Sequence, residues 1–342
     1  MQKKILVTGG TGYIGSHTAV ELQNAGYEVV IIDNLSNSNA EVIDGIGKIT
    51  KVRPVFSETD CNNKKAVEKV ITDNPGIVGI IHFAASKFVG ESVEKPLLYY
   101  RNNLVSLINL LELMAEHAIK GFVFSSSCTV YGQPDKLPVT EDAPVRPAVS
   151  PYGNTKQINE EIICDTIHAR APFKSIILRY FNPIGAHPSA EIGELPIGIP
   201  QNLVPFLTQT AAGIRKELSV FGDDYNTPDG SCIRDYIHVV DLAKAHVIAL
   251  NRMLEGDSTD NPEIFNLGTG RGVSVLELIR TFEKATGVKA PYKIVGRREG
   301  DIEKVWADPT HANKVLGWQA IETLENTLRS AWKWQQKLMR EK

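Results

Sequence analysis

The segment Thr8-Gly9-Gly10-Thr11-Gly12-Tyr13-Ile14-Gly15 follows directly on a short apolar run, Lys4 to Thr8, and opens an amphipathic stretch. A strand that ends in closely spaced glycines and turns at once into a helix leaves the chain few options. Gly9, Gly12 and Gly15 permit a tight turn, close approach of a pyrophosphate to backbone N–H groups, and close packing of helix on strand. Glycines alone are a weak signal, since the chain holds 27 of them. The surroundings strengthen it. A second extended run, Tyr27 to Asp33, ends in a carboxylate suited to accept hydrogen bonds from ribose hydroxyls. Asn34, Leu35, Ser36, Asn37 and Ser38 follow, with no Arg or Lys to neutralise a 2′-phosphate. The expected cofactor is therefore NAD and not NADP.

Further strands are expected at Val52 to Ser57, Ile77 to Ala84, Gly121 to Ser126 and Ser175 to Phe181, alternating with helical segments such as Leu97 to His117. Six strands with five crossovers predict an α/β fold, a doubly wound parallel Rossmann-type sheet that binds ligands at the carboxyl ends of its strands. After Phe181 the rhythm changes to a proline- and glycine-rich loop over 182–200. Shorter elements follow: helices near Asn202 to Ala212, Val240 to Leu250, Ser274 to Thr286 and Leu324 to Leu338, and strands at Leu218 to Phe221 and Ile264 to Leu267. The division expected is a dinucleotide-binding domain over 1–182 and a smaller mixed α/β substrate domain over 183–342, some of whose segments pack back on the first. The 37 basic and 40 acidic residues give a net charge of −3, which argues against nucleic acid as partner. No apolar run reaches the roughly 18 residues that a membrane span needs, and the amino terminus reads as a strand and not a signal peptide. Cys61, Cys128, Cys164 and Cys232 form no Cys-x-x-Cys pair and read as reduced thiols of a cytoplasmic protein. The eight histidines form no ligand cluster, so no metal is expected.

The chemistry is expected at Ser150-Pro151-Tyr152-Gly153-Asn154-Thr155-Lys156. Ser and Pro there signal a helix start, and Tyr152 and Lys156, four apart, share one helix face. A nearby ammonium and the positive helix end both favour the phenolate, so the phenol is expected below its free value of about 10, as a tunable acid or base. Ser127, where the fifth strand ends, is placed to hydrogen-bond a substrate hydroxyl and relay its proton to Tyr152.

The glycine loop with Ser127, Tyr152 and Lys156 resembles the short-chain dehydrogenase/reductase superfamily, and the length and large tail resemble its extended, nucleotide-sugar-handling branch. Within that branch the resemblance runs over almost the whole chain to the UDP-glucose 4-epimerase family. It is carried by His82-Phe83-Ala84-Ala85-Ser86-Lys87, Tyr100-Arg101-Asn102-Asn103, Ser125 to Gly132, Arg179 to His187, Arg234 to Val239 and Arg297 to Asp301. The resemblance implies reversible inversion at carbon 4 of a UDP-hexose through a 4-keto intermediate, with NAD kept bound, in a homodimer. It implies Tyr152 as the proton carrier and Lys156 on the nicotinamide ribose. Tyr13 and Ile14 fall to the pyrophosphate, and Asp60 and Cys61 to the adenine. The remaining cofactor contacts are Phe83, Ala84, Ala85, Ser86, Lys87, Asn102, Tyr180 and Phe181, with Lys87 also near the sugar. Asn182, Asn202, Arg234, Arg298 and Asp301 fall to the UDP, where an arginine fork suits a diphosphate. Val305 occupies the family's gate to the sugar pocket. A small residue there implies that UDP-N-acetylglucosamine and its galacto isomer are accepted too.

Two rivals have discriminating features. A 4,6-dehydratase of the same branch needs an Asp-Glu pair after the strand-five serine, where this chain has Cys128 and Thr129. An idle NAD-binding scaffold would be expected to lose Tyr152 or Lys156, and both are present.

Overall fold

The computed structural model describes residues 2–298 and 300–341. Glu299, within the Arg297–Asp301 segment, lies outside them. Strand β1 (Lys4–Thr8) leads into α1 (Tyr13–Asn24), β2 (Glu28–Asp33) into α2 (Val42–Thr50), and β3 (Val55–Glu58) into α3 (Lys64–Asp73). Next come β4 (Ile77–His82), a short α4 (Val89–Glu94) and the long α5 (Pro96–Glu116). β5 (Gly121–Ser127) is followed by α6 (Pro151–His168), β6 (Lys174–Tyr180) and β7 (Asn182–Ile184). The later part comprises α7 (Leu203–Ala211), β8 (Leu218–Phe221), β9 (Ile233–Arg234), β10 (Tyr236–His238) and α8 (Val239–Glu255). It continues through β11 (Glu263–Leu267), β12 (Val273–Ser274), α9 (Val275–Thr286), β13 (Tyr292–Val295), α10 (Thr310–Val315) and α11 (Leu324–Arg340).

The main sheet is parallel throughout, in the order β11-β6-β5-β4-β1-β2-β3. Its central strands are apolar on both faces because helices cover both. Ile5 and Val7 point into one core, with Ile31, Val123 and Leu178; Leu6 points into the other, with Ile80, Phe122 and Phe124. Strand reversal between β1 and β4 opens the crevice where such sheets bind ligands. The glycine loop, Asp33, Phe83–Lys87, Ser127 and Phe181 all follow strand ends along that one edge.

The sheet has one strand more than expected. Ile264–Leu267 and Val240–Leu250 read locally as parts of the smaller domain. In the structure β11 instead pairs with β6, and α8 packs against α1, β5 and β6. A sheet edge is completed by whichever strand arrives there, which local periodicity does not reveal. The 182–200 stretch likewise begins with a short strand, β7, parallel to β10. The rest of the later half gathers a separate core from Leu207, Tyr236, Ile279, Phe282 and Leu328. A small cluster of Val130, Tyr131, Val139, Phe181, Val305 and Ala307 adjoins the strand ends.

Candidate active site

Gly9 has φ +67°, and a Cβ there would lie 2.7 Å from the Ala84 nitrogen. Only glycine fits so close to the β4 end. Gly12 caps α1 without a side-chain hydrogen bond, which leaves the first-turn N–H groups without a side-chain acceptor. Asp33 is buried; its Oδ2 accepts from Thr11 N at 3.2 Å, and its Oδ1 from Leu35 N and Ser38 Oγ, each at 3.0 Å. An anion-ready helix start beside an oriented carboxylate fits the pyrophosphate and ribose of NAD.

The other cofactor candidates lie around this crevice. Tyr13 OH donates to Gly185 O at 2.7 Å, while Ile14 packs on the core. Asn34 reaches Asp60 at 3.4 Å, and the Cys61 carbonyl accepts from Asn109 at 2.9 Å. Ser36 N donates to Asn34, and Asn37 is exposed. After β4, Ala84 N donates to Thr8 Oγ1, Ser86 Oγ accepts from Asn102 at 3.0 Å, and Phe83 and Ala85 are partly covered. His82 is buried and bonded to Thr8 at 2.7 Å, a packed histidine as expected. Tyr180 bonds the Ser125 hydroxyl, and Phe181 is buried.

Helix α6 begins as its sequence foretold, with Ser150 Oγ accepting from Gly153 N at 3.2 Å and Pro151 at its first turn. Lys156 is buried, 4.9 Å from the centre of the Phe124 ring and 5.9 Å from that of Tyr152. Its Nζ donates to Ser125 O at 2.7 Å. Here the expectation of an acidified phenol needs correction. Tyr152 is half-buried, and desolvation pushes the phenol up to about 12. The Ser127 hydroxyl beside it acts the other way, favouring the phenolate. Burial also brings Lys156 down to about 8, opposed by Glu160. Desolvation dominates at the phenol, and the Lys156 ammonium is turned toward the Ser125 carbonyl and not toward the phenol oxygen.

The substrate-side residues split into two groups. Val305 and Phe181 are buried in one apolar cluster, with Cys128 packed against it. Asn182 N donates to Asp235 O at 3.0 Å, which joins β7 to β10. Arg234 Nη1 donates to Ile233 O, and Arg298 pairs with Asp301 at 2.7 Å over the Phe221 ring. Asn202 is turned to Glu194, a carboxylate that burial raises and that Lys87 opposes. The sequence reading assigned no role to Glu194, Glu160, Arg179 or Asp235, although Arg179 and Asp235 lie in segments that carry the resemblance. Buried Asp235 accepts from Thr269, Gly270 N and Ala307 N, tying β10 to the loop after β11 and to the wall that carries Val305. Glu160 had a usable signal, its helical spacing from Lys156; the others depend on distant segments meeting.

A family model described as GDP-mannose 4,6 dehydratase matches residues 6–331. A UDP-glucose 4-epimerase of Bacillus subtilis is 51% identical over 331 residues, 97% of this chain and 96% of that one. The crystal structure of UDP-glucose-4-epimerase from Stenotrophomonas maltophila, with bound NAD and formylated UDP-arabinopyranose, superposes with TM-score 0.96 at 47% identity over 100% of both chains. That of the Bifidobacterium longum enzyme, with NAD+ and UDP, gives 0.94 at 45% over 98% of both.

The chain belongs to the UDP-glucose 4-epimerase family.

The family model's dehydratase description is broader than this site. Among UDP-glucose 4-epimerase relatives the match is near full length, and the residue after Ser127 is a cysteine whose thiol burial pushes up to about 12. A thiol that stays protonated is a poor base for eliminating water. Away from the crevice, Glu68, Glu116 and His117 do bring three ligand-type atoms within 4.8 Å of one another, which the sequence reading did not foresee. Lys64 pairs with Glu116 at 2.8 Å there.

Proposed function

We propose that this protein interconverts UDP-glucose and UDP-galactose by inverting carbon 4. The observation that carries the reading is the convergence of Ser127, Tyr152 and Lys156 at the strand edge that also holds the glycine loop and Asp33. Bound NAD supplies the oxidant for carbon 4 and is restored when the same two electrons return to the opposite face. Once ionised, Tyr152 Oη accepts the 4-hydroxyl proton as the ketone forms, and as the phenol so produced it gives that proton back when the alcohol re-forms. Burial makes that phenolate a strong base but a scarce one near neutrality, and the Ser127 hydroxyl eases its formation by hydrogen bonding to it. Lys156 supplies positive charge beside the ring and donors toward the nicotinamide ribose. Tyr13, Ile14, Asp33 and the segments 34–38, 60–61, 83–87, 102 and 180–181 are assigned to the cofactor.

Asn182, Asn202, Arg234, Arg298 and Asp301 are assigned to UDP. Gripping the remote nucleotide holds the keto sugar without fixing its face, so both faces can be presented in turn. Residues 1–182 serve the cofactor and 183–342 the sugar nucleotide, with α8 and β11 returning to the first unit. A homodimer is supported by exposed apolar residues along α5, and a cytoplasmic setting by four free cysteines.

The pocket also takes N-acetylated sugars. Val305 is small and lies buried in the apolar wall beside Cys128 and Phe181, where an aromatic side chain would add bulk. A coupled assay of purified protein, without added NAD, against UDP-glucose, UDP-galactose and their N-acetyl counterparts tests both statements. Turnover of both pairs is expected. Val305→Tyr should cut N-acetyl turnover at least about tenfold, since excluding a group from a packed pocket costs on the order of 1–3 kcal/mol. Absence of hexose turnover would end the functional reading. Inactivity on the acetylated pair would remove the wider specificity.

A further inference from the structure

Beyond the tyrosine–lysine pair, α6 buries a third charged residue. Glu160 follows Lys156 by four positions, one helical turn further along the same face. Its carboxylate is held from two strands. Ser126 Oγ on β5 donates to Oε1; Arg179 on β6 donates through Nε to Oε1 at 3.0 Å and to Oε2 at 3.2 Å, and through Nη2 to Oε2. Arg179 also donates through Nη1 to Tyr131 OH at 2.9 Å and to Glu141 O at 3.3 Å. Both charged side chains are buried.

Stability is a weak reason to keep such a pair. Apolar residues of similar volume often replace a buried ion pair without loss, because desolving both charges costs about as much as their attraction returns. Its position suggests another use. Lys156 is faced by His82 from β4, which burial keeps neutral, and by the Phe124 ring and Ser125 carbonyl of β5. From its own helix come the neutral Tyr152 phenol and Glu160. Arg179 approaches from β6 with Glu160 as its direct partner. The lysine's hydrogen bond goes to Ser125 O, and Glu160, one turn along the same helix and fixed through Ser126, the next residue of β5, is the carboxylate whose charge favours its ammonium.

We infer that Glu160 is a positioning residue, the fixed counter-charge that holds Lys156 as an ammonium in the closed site, with Arg179 and Ser126 locking its orientation. This rests on the proposed epimerase reading, in which a cationic Lys156 serves the phenol and the ribose. Lys156 titrates at about 8 with Glu160 already raising it. Without that carboxylate the lysine holds its proton less firmly.

The test uses the NAD-loaded enzyme. Glu160→Gln alone strands a buried guanidinium and is prone to misfold, so the decisive variant is Glu160→Gln with Arg179→Met, which removes both charges and leaves Ser126 an acceptor. Isotope-labelled lysine NMR, with the Lys156 signal identified by its loss in Lys156→Met, reads the protonation directly. Its midpoint should fall by about one pH unit, and the alkaline limb of kcat/KM should move toward acid by the same amount. Glu160→Asp, which keeps the charge, should recover most of both shifts. An unchanged lysine midpoint in the folded double variant overturns the inference, as does a Glu160→Asp enzyme shifted as far as the double variant. Wild-type protein without epimerase activity would defeat the functional reading alone, because the lysine titration is read independently of turnover.

Discussion

At Tyr152 and Lys156 burial sets the resting protonation state of one residue and weakens that of the other. The phenol is pushed up to about 12 and the ammonium down to about 8. Tyr152→Phe removes the proton carrier and little else, so bound NAD should be retained while epimerisation falls about 10²–10⁴-fold. Near-normal turnover, measured by the coupled assay, would take the tyrosine out of the mechanism. Lys156→Met should abolish useful activity and yet stabilise the fold. Lys156 has a depressed folded-state value, so its destabilising effect is complete below pH about 8 and disappears as pH rises toward the ordinary lysine value. The shift corresponds to about 3 kcal/mol, and loss of the bond to Ser125 returns about 1, leaving a gain of about 2 kcal/mol near neutrality. Scanning calorimetry of both proteins should show that gain shrinking between pH 8 and pH 10. Spacing in the sequence identified this pair. It gave the tyrosine shift the wrong sign, because desolvation depends on what the rest of the chain stacks around the ring.

Among the elements, the β1–α1 turn makes the strictest demand. Gly9 combines a positive φ with a backbone neighbour that would touch any Cβ. Gly9→Ala should therefore push the loop away from the β4 end and leave a mostly cofactor-free protein; at least about tenfold lower NAD content after gel filtration is expected, from strain of about 1–2 kcal/mol plus the clash. Unaltered NAD content would show that the loop has room to spare. The early elements were legible because each strand, turn and helix there states its own period: β1 matches the expected residues, and α6 starts at its Ser-Pro signal. Less of the later site was legible. Asp235 gains its meaning from Thr269, Gly270 and Ala307, which arrive from 34 to 72 positions away, and Asn202 is occupied by Glu194. No window of neighbouring residues contains such pairings.

On the scale of the whole molecule, α5 carries Leu97, Val105 and Ile108 at 77%, 37% and 41% exposure, an apolar stripe along an otherwise well-packed helix. Pairing with the same helix of a second copy would cover it through an isologous interface. Replacing the three with glutamate should yield a monomer with NAD still bound, a change that sedimentation velocity would register. A wild-type protein that sediments as a monomer would leave the stripe without this explanation. The edge strand β11 has a different consequence. It comes from residues 263–267 but completes a sheet whose other strands end by residue 180. During synthesis the nascent cofactor-binding half leaves the ribosome with the β6 ladder unpaired on one side, and it waits through more than eighty residues for its neighbour. Over that interval the growing chain carries an open, aggregation-prone border, so the two halves are one folding unit, and separating them would divide a sheet and not a linker.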